Sequence, residues 1–196
     1  DKIVREWKLD LIIAKNDLAL KEGISPDQDR FRCCNELKTN ALKNVFSCYN
    51  FKALYLAIRR DEHGIRSKER VFSPRDKNFI WDYMNQPPEL WEHHSTRIDK
   101  EDHVRIHPML TWREIDVWRY IQRERIPVVS LYFEKDGRRY RSIGCECCCS
   151  PVESRADSIA KIIKELKAGR ISERSGRIQD KEQDYMMQKL RSLGYM

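Results

Sequence analysis

Along the chain, apolar positions alternate between strand-like runs and helical stripes. "LDLIIAKN" (9–16) is a short β-like run that follows a helical opening, and polar residues 17–32, with Gly23 and Pro26, read as a loop. In "CCNELKTNALKNVFSCYN" (33–50), Leu37, Ala41, Leu42, Val45, Phe46 and Tyr49 recur at helical spacing. That predicts a helix whose first turn carries Cys33 and Cys34. "FKALYLAI" (51–58) predicts a buried strand ending directly at "RRDE". Residues 62–102 are charged and aromatic, contain Pro74, Pro87 and Pro88, and show no sustained period. A loop of that length is uncommon unless it has a function.

"HVRIHPML" (103–110) predicts a strand and "TWREIDVWRYIQRER" a helix. Thr111 and Glu114 form a capping box there, and Trp112, Ile115, Trp118 and Ile121 supply an apolar stripe whose tryptophans are core. Pro127 closes that helix. "VVSLYF", the turn Lys135-Asp136-Gly137 and "RRYRSIG" read as a hairpin. "DSIAKIIKELKAG" is an amphipathic helix with Ile159, Ile162, Ile163 and Leu166 inward and Gly169 as its stop, and a last helix is expected to end near Gly194. This alternation predicts an α/β fold with a mostly parallel sheet flanked by helices. Residues 1–150 would form the α/β domain, with 151–196 as a helical extension packed on it. Ligands of such sheets gather beyond the carboxyl ends of the strands, which puts Arg59, Arg60 and Asp61 in a privileged place.

Charge narrows the partners. The 196 residues include 38 basic and 31 acidic side chains, a net charge of +7. The balance suits a nucleotide, a sulfate-type anion or nucleic acid, although a mixed-charge surface accounts for it equally well. No apolar run is long enough to span a membrane, and the first residues do not read as a signal peptide. Seven cysteines, an odd number and clustered, argue against a secreted disulfide framework and for a reducing cytoplasm.

Four of those cysteines stand within five positions, in "YRSIGCECCCSP" (140–151). Cys145 and Cys148 make a C-x-x-C pair, and Cys33 and Cys34 a second pair at a helix start. Four thiolates can complete a tetrahedral zinc site or hold a [4Fe–4S] cluster. Adjacent cysteines suit the cluster better, because neighbouring side chains diverge and a cluster offers separate irons. A helix start would also stabilise anionic sulfur through its N–H groups. The plainer alternative is that Cys33 and Cys34 are small buried hydrophobes. Cys147 and Cys149 are left for packing or for neighbouring roles, and Cys48 for the core. His93 and His94 show no metal-ligand spacing and read as surface.

"RFRCCNELKTNAL", "AIRRDEHGIRSKER", "TWREIDVWRYI" and "SIGCECC" resemble the adenylyl-sulfate and phosphoadenylyl-sulfate (PAPS) reductase family of the PP-loop, adenine-nucleotide α-hydrolase-like superfamily. "RRDEHGIRSKERVFSPRD", "NQPPELW", "SPVES" and "SERSGRIQDKE" are closer to its ATP sulfurylase small-subunit branch, and the resemblance runs over nearly all of 5–196. It implies a [4Fe–4S] cluster on Cys33, Cys34, Cys145 and Cys148, with Lys38 near enough to offset its charge and reach an anionic substrate. It implies ATP with Mg²⁺, and in-line displacement at the α-phosphate by sulfate. Arg59 and Arg60 would then clamp phosphate or sulfate oxygens, with Asp61 orienting one of them or meeting the ribose. Arg66, Lys68 and Arg70 would extend the basic cradle, and Arg174 and Arg177 would close over the nucleotide. A solvated surface is the competing account for Arg70, Arg174 and Arg177.

The same resemblance implies a GTPase large subunit as partner, with a homo-oligomer as the alternative. Two departures matter. No S-G-G-x-D-S pyrophosphate loop stands in these residues, and in relatives it lies upstream of where the chain starts, so the fold is expected to lack its N-terminal part. The end "RSLGYM" carries no cysteine, whereas the reductases use a C-terminal thiol, which counts against reductase activity. The alternatives are a PP-loop iron–sulfur enzyme that thiolates nucleic acid, an adenylyl-sulfate or PAPS reductase, and a member in which the cluster is only a folding staple.

Overall fold

The computed structural model describes residues 2–84, 86, 89, 103–169, 173–177, 189, 190 and 193. They divide into two units, residues 1–51 and residues 52–194. His93, His94 and most of the expected last helix lie outside the described residues. Among the described residues, no helix is long and apolar enough to cross a membrane.

The first unit is helical: α1 (Lys2–Glu6), α2 (Asp17–Lys21), α3 (Arg30–Cys34), a π-helical segment (Asn35–Asn40) and α4 (Ala41–Tyr49). Asn16 Oδ1 caps α2 by accepting from the Ala19 N–H at 3.3 Å, and Asp29 Oδ1 caps α3 by accepting from the Arg32 N–H at 2.9 Å. The chain is helical from Arg30 to Tyr49 and stops at Asn50, whose φ of 52° is the left-handed cap that asparagine tolerates. Ala19, Ile24, Cys34, Ala41 and Phe46 are buried.

Two expectations change here. Residues 9–16 form no strand, and Leu9, Leu11 and Ile13 are exposed; a period-two run becomes a strand only when a neighbour takes its backbone hydrogen bonds. The stretch 17–32 is not all loop, because Asp29 starts the helix earlier than the apolar stripe suggests. Cys33 therefore sits beyond the first turn, with its N–H donated to the Asp29 carbonyl at 2.9 Å. The favourable setting of a helix start for these sulfurs is lost, since a terminus acts within its first turn.

The second unit holds β1 (Ala53–Tyr55), β2 (Phe72–Arg75) and β3 (His103–Ile106) in the order β1-β3-β2. β1 runs parallel to β3, with Leu54 beside Arg105, and β2 runs antiparallel to it, with Ser73 beside Arg105 and Arg75 beside His103. The sheet is thus mixed, with one parallel pairing. The buried strand expected at 51–58 is three residues at the sheet edge, with Tyr55 70% exposed. β2 arises inside the stretch that shows no period in the sequence. Pro74 is tolerated there because β2 is also an edge strand.

Next come α5 (Glu114–Glu124), β4 (Arg138–Arg139), β5 (Val152–Glu153) and α6 (Ile159–Ala168). The cap of α5 is Arg113, whose N–H is accepted by Asp116 at 3.1 Å, rather than Thr111 with Glu114. Asp136 and Gly137, at φ 55° and 78°, make the tight turn that the sequence calls for. Past the Lys135–Arg138 bridge, β4 pairs with β5 and not with 128–133. Trp118, Ala156, Ile162 and Ile163 form a core joined by Ile115, Ile121, Ile159 and Leu166. Trp112 is outside it, half-buried and edge-on to Tyr120 at 5.4 Å. α6 shares that core with α5, so the residues on both sides of 150 belong to this unit, and the chain divides after residue 51.

Candidate functional site

Beyond the carboxyl end of β1 the backbone runs beside 106–110: the Leu56 N–H donates to Ile106 O at 2.9 Å and the Arg60 N–H to Leu110 O at 3.0 Å. This delivers Arg59 into the interior, 7% exposed. Its guanidinium meets three carboxylates: Asp61 at 3.0 Å, Glu62 at 3.5 Å and Glu173 in a close ion pair. Glu62 also accepts the Arg59 N–H at 3.0 Å and pairs with buried Arg66. Asp61 does double service, its second oxygen accepting the Glu114 N–H at the start of α5 at 2.7 Å. Glu114 in turn takes a forked grip from Arg141, at 3.0 Å from Nε and 2.7 Å from Nη2.

The network therefore gathers the end of β1, the start of α5, the 140s loop and the 173–177 segment. Burial pushes the Glu173 carboxyl up, opposed by Arg59 and reinforced by the negative charges of Glu114 and Asp61. Arg60 faces outward; it donates to the Glu69 carbonyl at 3.1 Å and lies 3.9 Å from Glu89. Lys68 is exposed and stands over the Tyr83 ring at 4.8 Å. Arg174 is buried. Arg59, Asp61 and Arg66 thus share one network, with Arg60 beside it; Lys68 is not in it. The carboxylates that bind Arg59, especially Glu173 far along the chain, give no signal in the sequence beyond their charge.

A second polar cluster was not legible in the sequence at all. Ser73 and Arg75 on β2 stand beside Arg105 and His103 on β3, so this face of the sheet is polar yet sealed. Glu69, 0% exposed, binds Arg75 at 3.1 Å and accepts from Ser73 Oγ at 2.9 Å. His107 Nδ1 donates to the Arg70 carbonyl at 2.7 Å. Burial, aided by the nearby arginines, pushes His103 and His107 down to about 4. Both rings are neutral at pH 7.

In the 140s loop, Cys145 to Cys148 close one turn, the Cys148 N–H donating to Cys145 O at 2.9 Å. The C-x-x-C pair is thus built on the turn its spacing suggests, with Cys148 buried and Cys145 half-buried. Cys147 is exposed, its sulfur 3.7 Å from that of Cys148. Cys149 is buried and faces Arg177, whose Nη1 lies 3.1 Å from its sulfur.

Cys33, half-buried, and Cys34, buried, belong to the first unit, as does half-buried Lys38 on the π-helical segment. Cys48 is exposed rather than core. π-helical insertions store a local irregularity that often marks a functional position, and no feature of the apolar stripe signals this one. All four candidate ligands are unbridged thiols, shielded wholly or in part from water. That donor chemistry fits an iron–sulfur centre, or zinc. Among the described residues, no three Cys, His, Asp or Glu side chains gather at metal-holding spacing.

Comparison with known proteins adds what geometry leaves open. Residues 1–151 match the family model of the phosphoadenosine phosphosulfate reductase domain. The chain belongs to that family. It is also similar over its whole length to proteins named "Sulfate adenylyltransferase subunit 2": 38% identical to that of Geotalea uraniireducens, 37% to that of Geobacter metallireducens and 36% to that of Saccharophagus degradans. These alignments cover 100% of this chain and 74–75% of each relative. They extend over 225 positions against 196 residues here, so the relatives carry residues within the aligned region that this family member lacks. The resemblance read from "RRDEHGIRSKERVFSPRD" and its neighbouring phrases is thereby shown at the level of the family and of these relatives.

Proposed function

We propose that this chain is a sulfate-activating enzyme of the small-subunit type, transferring the adenylyl group of ATP to sulfate with Mg²⁺ and releasing pyrophosphate. The observation that carries the reading is whole-chain similarity to relatives named sulfate adenylyltransferase subunit 2. That name also supports a larger partner subunit, which we take to be a GTPase.

The chemistry needs little from the protein beyond alignment and charge neutralisation, because sulfate attacks the α-phosphate in line with the departing pyrophosphate. Arg60, outward beside the network, binds an oxyanion of the substrates. Arg59 meets the charge that develops in the transition state once Glu173 yields its place on the guanidinium fork. Asp61, tied to both Arg59 and the start of α5, fixes that fork. Arg66, Lys68 and Arg174 supply further positive charge to the nucleotide phosphates, and Lys38 serves the anionic substrate.

Cys33, Cys34, Cys145 and Cys148 hold a [4Fe–4S] cluster. When bound, the cluster would supply iron–sulfur charge to the thiolates that hold it, and the adenylyl transfer itself would make no demand on it. Zinc is the alternative occupant of the same thiols.

Sulfate-dependent exchange of pyrophosphate into ATP, measured on the chain with its large subunit, tests the reading. Exchange that vanishes without sulfate is the expected result. No exchange, together with ATP cleavage stimulated by RNA or DNA, would replace it with nucleic-acid thiolation, which the net charge of +7 also suits.

A further inference from the structure

The loop that carries four cysteines is held from outside by one side chain. Arg177 Nε donates to Ser142 Oγ at 2.9 Å, Nη1 lies 3.1 Å from Cys149 Sγ, and Nη2 makes a close hydrogen bond to the Ile143 carbonyl. The guanidinium crosses directly over Gly144: a Cβ added there would fall 1.5 Å from Arg177 Nη1. Only glycine leaves that room. The backbones meet as well, through a bridge between Cys149 and Arg177 and a 2.8 Å hydrogen bond from the Ser150 N–H to Gly176 O. Gly176 is as tightly placed, since a Cβ on it would stand 2.3 Å from Ser150 O. Two glycines and a planar five-donor group therefore lock the 173–177 segment against the loop, on the side where Cys149 points.

We propose that Arg177 is the positioning residue of this loop: it engages the Cys149 sulfur, keeps it out of the donor set, and leaves Cys145 and Cys148 as the pair offered to a metal. A sulfur that already accepts from a guanidinium, itself fastened to Ser142 and Ile143, cannot turn toward a metal without breaking that bond. Cys145 and Cys148 lie at the two ends of one turn, closed by the Cys148 N–H on the Cys145 carbonyl at 2.9 Å. The segment the resemblance assigns to the nucleotide thus acts first on the cysteines. The metal part of this inference rests on the cluster reading above; the clasp on Cys149 does not.

The test combines thiol mapping with metal analysis on the full chain purified without oxygen. Iodoacetamide labelling followed by peptide mass spectrometry reads each cysteine separately. In the parent, Cys149 should label about tenfold more slowly than exposed Cys147, because access limits reaction. Arg177→Gln should bring the two rates within about threefold. Gly144→Ala keeps the arginine in the sequence and should do the same, because its new methyl group falls on the end of the flexible Arg177 side chain; it also comes within 3.1 Å of Cys149 Sγ. Iron should fall from about four per chain to less than half of that in both variants, and the visible absorption should fall with it. Cys149→Ser should keep its iron, whereas Cys145→Ser should lose it.

Unchanged Cys149 labelling in both Arg177→Gln and Gly144→Ala would overturn the clasp. Loss of iron in Cys149→Ser as complete as in Cys145→Ser would overturn the assignment of ligands. A parent chain without iron or zinc would remove the cluster reading, and the labelling pattern would still decide the role of Arg177. Should Arg177→Gln fail to fold, Gly144→Ala carries the same readouts.

Discussion

The Arg75 and Arg59 clusters, two of the buried ionic clusters among the described residues of the second unit, are built for different ends. Around Arg75, a single carboxylate among the described residues, Glu69, meets the guanidinium on a sheet face that is sealed: Glu69, Ser73 and His107 are 0% exposed. Around Arg59, carboxylates are abundant and come from segments far apart in the chain, and Asp61 and Arg60 still reach solvent. A sealed cluster without an open rim can only support the fold. A cluster with surplus acceptors and an open rim can exchange one of them for a ligand.

The sharpest way to break this contrast is Glu69→Gln. It leaves Arg75 buried with its charge uncompensated, and removing one member of a buried pair costs about 3–5 kcal/mol. The urea midpoint should fall accordingly, or the chain should fail to accumulate. A loss below about 1 kcal/mol, the size expected of an exposed pair, would mean that the sealed cluster is wet and the contrast unfounded.

Arg59→Lys examines the other side. Lysine keeps the charge but cannot present a planar fork to an oxyanion. Exchange of pyrophosphate into ATP should fall about 100-fold, the scale for losing one preorganised donor to transition-state charge. The KM for ATP should move far less. Equal losses in both would mean that Arg59 binds the ground state, or only supports the loop.

The two clusters should also part company on acidification. His103 and His107 titrate near 6.5 when unfolded and near 4 when folded. Between those values the unfolded chain binds more protons, so stability falls as pH drops from 6.5 toward 4. From pH 7 to pH 5 each histidine should contribute a loss of roughly 2 kcal/mol. Urea unfolding at the two pH values measures the sum, and His107→Gln should flatten the dependence by about half of it. Glu173, whose carboxyl is raised by burial beside Arg59, contributes with the opposite sign in acid. A pH dependence unchanged in His107→Gln would show that this ring is not held neutral.

How far the sequence anticipates all this follows from the range of each interaction. Local signals were read well: the turn at Asp136-Gly137, the stripe of α6 and the C-x-x-C turn all depend on neighbours in the chain. The cysteine helix starts earlier than its apolar period predicts because a side-chain cap, Asp29, outweighs that period. Strand β2 was invisible because Pro74 and charged neighbours hide a period of two, and its partner β3 is distant. Arg59 and Asp61 stand out in the sequence because the end of a strand is a topological place. Glu173 and the grip of Arg177 on Cys149 do not, because nothing in a sequence says which arginine a distant carboxylate or thiol will meet.

The smallest expected effect falls on that hidden partner. On the proposed function, Glu173 occupies the part of the Arg59 fork that an oxyanion of the substrates would need, so the two would compete. Its raised carboxyl shows that burial makes its charge costly there. Glu173→Gln keeps the shape, removes the charge and weakens the hold on Arg59, which Asp61 and Glu62 still restrain. The KM for sulfate should therefore fall about threefold, less than 1 kcal/mol of binding, with little change in stability. Arg59→Lys combined with Glu173→Gln should show no such gain, since the fork for which carboxylate and substrate compete is already gone. A rise in the KM for sulfate in Glu173→Gln would mean that the carboxylate orients Arg59 toward the substrate instead of competing with it, and the open cluster would then be as fixed as the sealed one.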